Sequence, residues 1–462
     1  MNLREAVNKF PLFKSLIDDL QLAYNVSRDM LYASCFLSDK KLLEDEYYNV
    51  SEMLKLIKKD SSIASTLHVK LCKLRDIRGS LANLSNYRTL DDIELFEIKS
   101  FSINIEELRK LCKTHRIKVV DIPDLSPVIK TLDPDNTSIP MFYVYDSYSS
   151  ELAAIRKKIK KANTDEDKEL AENLRFEAEK LEDEVRFKLS ETLREHSANI
   201  QKAVFAIANL EILLAKAVQA FDLNLCCPTI DDNKIEYKQL FNPVIAASLQ
   251  KMSKKFQPID IILYKSPCLI TGANMSGKTV ILKTIALAQY LSQFGFFVPA
   301  KSAEICLVDE ILTSVTDDQD ELKGLSSFAA EVLNVNNIIK AVKSKKIILA
   351  LVDELAGTTN PIEGTAIVNA LLKILDLHST CSIVTTHYSD VDYPVRRLRV
   401  KGLREITDGV KITRSNIGDF IDYSLIEVDK SDVPHEALRI MEILGCDEEF
   451  LSYAKEAEKD KV

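Results

Sequence analysis

The residues Gly272-Ala273-Asn274-Met275-Ser276-Gly277-Lys278-Thr279 fit the pattern G-x-x-x-x-G-K-[ST]. Ahead of them, Pro267-Cys268-Leu269-Ile270-Thr271 is apolar enough for a short buried strand, and Val280 to Ala288 reads as a helix. Strand, loop and helix in that order form a phosphate cradle. The glycines let backbone N–H groups curl around an anion, and the helix start adds its dipole. In such a loop Lys278 reaches the β- and γ-phosphates and the Thr279 hydroxyl ligates Mg²⁺, so the chemistry expected is binding of ATP with Mg²⁺.

Hydrolysis needs a metal-coordinating acid and a base for water, and two segments compete for these parts. One is Ile305-Cys306-Leu307-Val308-Asp309-Glu310; the other is Ile348-Leu349-Ala350-Leu351-Val352-Asp353-Glu354. Both read as buried strands ending in Asp-Glu. The second runs on into Gly357-Thr358-Thr359-Asn360-Pro361, a helix, and a further strand, Cys381 to Thr386, that ends at His387. A strand–helix–strand unit brings Glu354 and His387 to one sheet edge. The expected roles are Asp353 toward Mg²⁺ through water, Glu354 as general base, and His387 as sensor of the γ-phosphate. Asp309-Glu310 is expected to be a bystander.

The elements that carry these parts show in the glycine count. Only 11 glycines occur in 462 residues, and Gly79 is the single one before Gly272. Glycine supplies positive φ and close backbone approach, so the first half reads as long helices and the rest as a loop-rich α/β unit. Residues 150–221 contain neither Gly nor Pro, and Leu170, Leu174, Ala178, Leu181, Val185, Leu189 and Leu193 make a coiled-coil-like seam. Asn163 to Asp167 has turn and N-cap chemistry. Two antiparallel arms are expected, one ending near Lys161 and a longer one from Lys168, whose length at ~1.5 Å per residue reaches roughly 80 Å. The run Met141 to Tyr145 is expected to be strand-like.

Composition excludes several classes. An apolar fraction of 46% excludes wholesale disorder, and a net charge of −9 excludes a general polycation. DNA contact would need a local basic patch, for which Arg156-Lys157-Lys158 and Lys160-Lys161 are the candidates, or a second subunit. Nine cysteines without a CxxC pair suggest neither a disulfide framework nor a zinc site, but a reducing cytoplasm. The start MNLREAVNKF has no apolar leader, and no uncharged apolar run reaches 18 residues. A soluble cytoplasmic protein with no membrane partner is expected.

Several of these segments resemble the MutS proteins of DNA mismatch repair. Thr271 to Thr279 is similar to that family's T-G-P-N-M-x-G-K-[ST] loop, including Asn274 and Met275. Asp353-Glu354-Leu355 through Glu363-Gly364 looks like its second signature, and Thr386-His387-Tyr388 matches its T-H-Y. Gly324-Leu325-Ser326-Ser327-Phe328, closing with Glu331, resembles its G-x-S-T-F-x-x-E segment. Phe241-Asn242-Pro243 and Leu210-Glu211 resemble its H-P-x segment and the end of its lever helix. The chain departs from the family too. It has no Phe-x-Glu tripeptide, the family's mismatch wedge, and on its length the mismatch-reading domains and a nuclease-type tail are expected to be missing. Its Asn360-Pro361-x-Glu363-Gly364 ending is nearer the shorter MutS branch.

The resemblance implies an α/β P-loop (ABC-type) ATPase domain with an N-terminal all-α core and long helical lever arms. Expected boundaries are a helical core over 1–125, arms over 126–225, the ATPase domain over 226–400 and a C-terminal helical dimerisation segment over 401–462. It further implies a homodimer or heterodimer with composite nucleotide sites, each completed by Ser326 and Ser327 of the opposite subunit. ATP binding would then drive a clamp-like switch on branched or damaged DNA. A second implied reading is an ATP-dependent protein-remodelling factor, such as one reactivating a cobalamin-dependent aminomutase, with no DNA client.

Overall fold

The computed structural model describes residues 1–137, 139, 141–164, 167–272, 276–314, 327–357, 359–388, 390–404, 417–429, 437–443 and 445–459. Its helices, among the described residues, are α1 (Leu3–Lys9), α2 (Pro11–Asp18), α3 (Asn25–Ala33), α4 (Lys40–Lys59), α5 (Ser62–Leu71), α6 (Arg78–Ser85), α7 (Asp92–Thr114), α8 (Ser126–Leu132), α9 (Ser150–Thr164) and α10 (Lys168–Asp222). They continue with α11 (Pro243–Lys251), α12 (Lys278–Gln293), α13 (Ser327–Lys343), α14 (Pro361–Leu377), α15 (Ala437–Ile443) and α16 (Glu448–Lys459). The strands are β1 (Thr229–Ile230), β2 (Lys234–Leu240), β3 (Ile259–Tyr264), β4 (Pro267–Thr271), β5 (Ser302–Ile305), β6 (Glu310–Ser314), β7 (Ile348–Val352), β8 (Cys381–Thr386), β9 (Arg396–Leu403) and β10 (Ile421–Glu427). The chain divides into two units, one of residues 20–34 and 49–218, the other of residues 1–19, 35–48 and 219–462.

The first unit is helical. Its longest element, α10, is the next helix after α9, close to the two arms expected, and the Asp167 carboxylate caps it by accepting the Leu170 N–H at 3.1 Å. Arg156 on α9 pairs with Glu182 on α10 at 2.7 Å and with Asp146 at 2.6 Å. The basic patch therefore spends one of its charges internally. Met141 to Tyr145 forms no strand. Its carbonyls are claimed by side chains instead: Lys99 donates to Met141 O at 3.1 Å, and Arg156 to Val144 O at 2.7 Å. The Lys99 ammonium is fully buried and also binds Asp133 at 3.0 Å and the Tyr145 hydroxyl at 2.8 Å. A buried charge needs such company. By length and composition α10 is also apolar enough to cross a membrane, but 72% of the relevant window is buried in the protein. Glu211, within the same helix, accepts the N–H of Ala23 at 2.8 Å and of Tyr24 at 3.1 Å, which marks a core helix.

The second unit holds both sheets. Four strands run in the order β1-β5-β2-β3, and six in the order β10-β9-β4-β8-β7-β6. In the larger sheet every neighbouring pair is parallel except β10 with β9. Strands β7 and β8 are buried along their whole length, as expected for a parallel sheet covered on both faces. Leu371, Leu372 and Leu375 of α14 and Ile338 and Val342 of α13 share one core with β7 and β8. Helix α12 is buried nearly all round. Near its end Phe13 stacks on Tyr290 and Phe294, each at 5.6 Å between centroids, and Tyr47 Oη donates to Ser292 O at 2.8 Å.

Two features differ from the sequence reading. The sheet runs past residue 400, since β9 reaches Leu403 and β10 adds an antiparallel edge where only helices were expected. The run Ile305 to Glu310 is not one strand: β5 ends at Ile305 and β6 begins at Glu310 in the other sheet. Buried glutamines hold the link, with Gln289 donating to Cys306 O and Gln293 to Val308 O, each at 2.9 Å.

Candidate functional site

Strand register decides which side chains meet. Thr271 of β4 lies opposite Thr386 of β8, and Val352 of β7 lies opposite Val384 of β8. Gly272, Asp353 and His387 therefore leave the sheet at one edge, the carboxyl edge where parallel α/β sheets gather ligands. Asp309 lies at the opposite edge, just before β6, where its carboxylate accepts the Ile347 N–H at 2.8 Å. It is a structural residue, as expected.

The Asp353 carboxylate, 7% exposed, accepts the Thr279 hydroxyl at 2.6 Å and the Thr385 hydroxyl at 2.7 Å. Thr385 in turn accepts the Glu354 N–H at 2.8 Å, tying that residue to the same strand end. A hydroxyl and a carboxylate in contact offer hard oxygens that suit Mg²⁺, an ion that keeps waters and substrate phosphates as its other ligands. Among the described residues no cluster of three His, Cys, Asp or Glu side chains could cage a metal alone. A cation here would need oxygens from a ligand.

Lys278, at the first position of α12, is buried, and its ammonium donates to Gly272 O at 2.9 Å and stands 3.2 Å from Glu354 Oε1. Ser276 Oγ is buried and has no hydrogen-bond partner among the described residues, which fits an acceptor arriving from outside the chain. Gly277 has φ +84°, and a Cβ there would stand 3.0 Å from the Tyr423 ring, so only glycine allows that close approach. His387 follows β8 with an exposed ring 4.4 Å from that of Tyr388. Of the other residues picked from the sequence, Ala273, Asn274, Met275 and Ser326 lie outside the described residues, and Ser327 is described only as the first backbone position of α13.

One part of the site had no sequence signal. A cavity of about 370 Å³ opens beside the first turns of α12, lined by Leu249, Phe256, Ile281, Thr284 and Tyr423 among others. Its apolar walls suit a planar heterocycle. Gln257 braces one wall, donating to Asp422 at 2.8 Å and Ser424 at 3.1 Å while accepting the Tyr423 N–H at 3.2 Å. Burial works to raise the Asp422 carboxyl, but hydrogen bonds from Ser424 and Gln257 outweigh it and hold the group well below the usual carboxylate range. Tyr423 lies about 145 residues downstream of Lys278, on the strand that had been expected as helix, and no motif marks it.

Sheet order and site together define a mixed α/β domain of the MutS domain V kind. Residues 268–414 match the family model described as MutS domain V. It is 34% identical over 207 residues to the Endonuclease MutS2 of Caldicellulosiruptor saccharolyticus, covering 44% of this chain and 25% of that protein. With the Endonuclease MutS2 of Fusobacterium nucleatum it shares 27% identity across 98% of this chain and 54% of the relative. With the DNA mismatch repair protein MutS of Lactobacillus delbrueckii subsp. bulgaricus it shares 33% over 228 residues, 48% of this chain and 26% of the relative. The chain thus spans between a quarter and about half the length of these relatives.

Proposed function

We propose that this chain binds ATP with Mg²⁺ at the carboxyl edge of its six-stranded sheet and hydrolyses it. The observation that carries the reading is a pair of contacts at the start of α12, Thr279 with Asp353 at 2.6 Å and Lys278 with Glu354 at 3.2 Å. Each has a distinct task. The N–H groups opening α12 and the Lys278 ammonium hold phosphate oxygens. Thr279 and Asp353 hold Mg²⁺, which supplies charge neutralisation at the transferring phosphoryl group. Glu354 accepts the proton of the attacking water, and His387 hydrogen-bonds at the γ-phosphate. The cavity under Tyr423 takes the base.

We further infer that two copies act together, with Ser326 and Ser327 of one completing the phosphate loop of the other. The resemblance of the segment Gly324 to Glu331 to one that reaches the opposite subunit's nucleotide supports this. The names of the relatives favour DNA as the client of this ATP-driven clamp. The net charge of −9 and the internal pairing of Arg156 favour a protein client instead, the second reading. Hydrolysis by the purified chain decides between them, measured alone and with duplex, single-stranded and four-way-junction DNA at low and moderate salt, with Glu354→Gln as control. Stimulation by one DNA form that fades steeply with salt supports the clamp. Hydrolysis indifferent to every DNA sinks it and leaves the protein client.

A further inference from the structure

The turn after β7 is built on strained backbone. Glu354 has φ +43° and Ala356 φ +58°, both in the left-handed region that side-chain-bearing residues adopt only at a cost. Such a conformation persists where the surroundings impose it. Here two side chains from separate elements do so. The Ala356 N–H donates to Glu331 Oε1 at 2.6 Å, and the Tyr388 hydroxyl donates to Ala356 O at 2.5 Å. Both polar groups of one backbone residue are thus held by side chains. Glu331 comes from the second turn of α13, and Tyr388 from the residue after His387, its own N–H anchored on Thr386 Oγ1 at 3.1 Å. Tyr388 is buried, and its hydroxyl lies directly over Gly364 of α14, where even a Cβ would come within 2.3 Å. The clamp has no slack on that side.

We propose that Glu331 and Tyr388 are positioning residues that, by gripping Ala356, fix the direction in which the Glu354 carboxylate leaves the turn toward Lys278. They act on the backbone two residues away, not on the carboxylate. The inference rests on the proposed hydrolysis, in which Glu354 is the base. It adds a coupling route. Glu331 lies one helical turn beyond Ser327, the first residue of α13, so whatever engages the start of that helix pulls on Ala356 through a single hydrogen bond. Occupation of the helix start by a second copy would then set the posture of Glu354 in the first.

The test uses the whole chain and the variants Glu331→Ala, Glu331→Gln and Tyr388→Phe. Glutamine keeps an acceptor oxygen for the Ala356 N–H, and alanine does not. The expected result for Glu331→Ala is a fall in kcat of about tenfold or more, since small misplacements of a catalytic group are costly. Affinity for a fluorescent ATP analogue should stay within about twofold, and Glu331→Gln should restore most of the rate. Tyr388→Phe should move kcat in the same direction. Wild-type turnover in Glu331→Ala, or a Glu331→Gln variant as slow as the alanine, would overturn the proposal. So would loss of nucleotide binding in step with kcat.

Amide hydrogen exchange across residues 353–357 separates this inference from the one beneath it. Glu331→Ala should lose protection at Ala356 without nucleotide, whether or not the chain hydrolyses ATP. If the wild type and Glu354→Gln turn over alike, the hydrolysis reading fails. Exchange then decides the clamp alone, with unchanged protection in Glu331→Ala counting against it.

Discussion

The Lys278 ammonium stands 3.2 Å from Glu354 Oε1, so the cation of the phosphate loop is paired within the chain to the residue assigned as base. A triphosphate brings negative charge that competes with Glu354 for the same ammonium. Released from that pair, the carboxylate has an oxygen free to accept a hydrogen bond from water. Occupancy of the loop and readiness of the base are thereby linked.

The pair predicts opposite phenotypes for its members. Lys278→Met should weaken ATP binding by about a hundredfold or more, as expected when a charge-assisted phosphate contact is lost. Glu354→Gln should bind ATP at least as tightly as the wild type and turn over roughly 10²–10⁴-fold more slowly, the usual contribution of a general base. Titration with a fluorescent nucleotide and a phosphate-release assay read the two effects separately. A Glu354→Gln variant at the wild-type rate would remove Glu354 from the mechanism.

Gly364→Ala should destabilise the protein. The added methyl would lie 2.3 Å from Tyr388 Oη and 2.4 Å from its Cζ, and the ring is buried. Overpacking of this kind costs about 1–3 kcal/mol, which outweighs the roughly 1 kcal/mol that alanine gains over glycine in a helix. Thermal unfolding should show the loss, and Gly364→Ala combined with Tyr388→Leu should recover part of it. Equal unfolding temperatures for the single variant and the wild type would contradict the contact.

Tyr423→Ala should separate recognition of the base from recognition of phosphate. The ring covers Gly277 and lines the cavity beside α12. Losing an aromatic surface under a base costs about 1–3 kcal/mol, so ATP affinity should fall by roughly tenfold or more while tripolyphosphate affinity holds. Competition between the two ligands for the loop measures this. Parallel losses would make Tyr423 a prop for the loop.

Thiol labelling tests the packing. Cys35, Cys72 and Cys227 are exposed, while Cys112 and Cys268 are buried, with burial pushing their thiols up to about 11 and about 12. The thiolate is the reactive species, so at pH 8 a group with pKa about 11 is ionised in only about one part in a thousand. Iodoacetamide should modify the three exposed residues first. Reaction at Cys112 should rise with pH, about tenfold per unit, because deprotonation is what limits it. Early labelling of Cys268 would contradict the burial of β4.

The parts of the site that sequence revealed are those fixed by local backbone. A strand, a glycine loop and a helix follow one another between Pro267 and Gln293, and the strand ends at Asp353 and His387 carry their own apolar signals. Non-local parts were invisible. Nothing near Tyr423 shows that β10 doubles back along β9 to cover Gly277, and nothing in Met141 to Tyr145 shows that Lys99 and Arg156 would take its carbonyls. Glu331 was picked out as a motif residue, but its partner Ala356 was not. Hydrogen bonds to backbone leave no mark on the identity of the residue that offers the backbone.

The grip of the first residues on α12 also orders events in time. Tyr47 meets Ser292 across 245 residues of chain, and Phe13 waits still longer for Tyr290 and Phe294. At about 5–20 residues per second, a ribosome takes on the order of 12–50 s to cover the shorter distance. Through that interval the Phe13 ring lacks the α12 rings it stacks on, so the unit made first at one end is finished only near the other. A damaging change at Phe13 would therefore be felt at the helix that follows Lys278, and would look like a nucleotide-binding defect in a residue no motif search would visit.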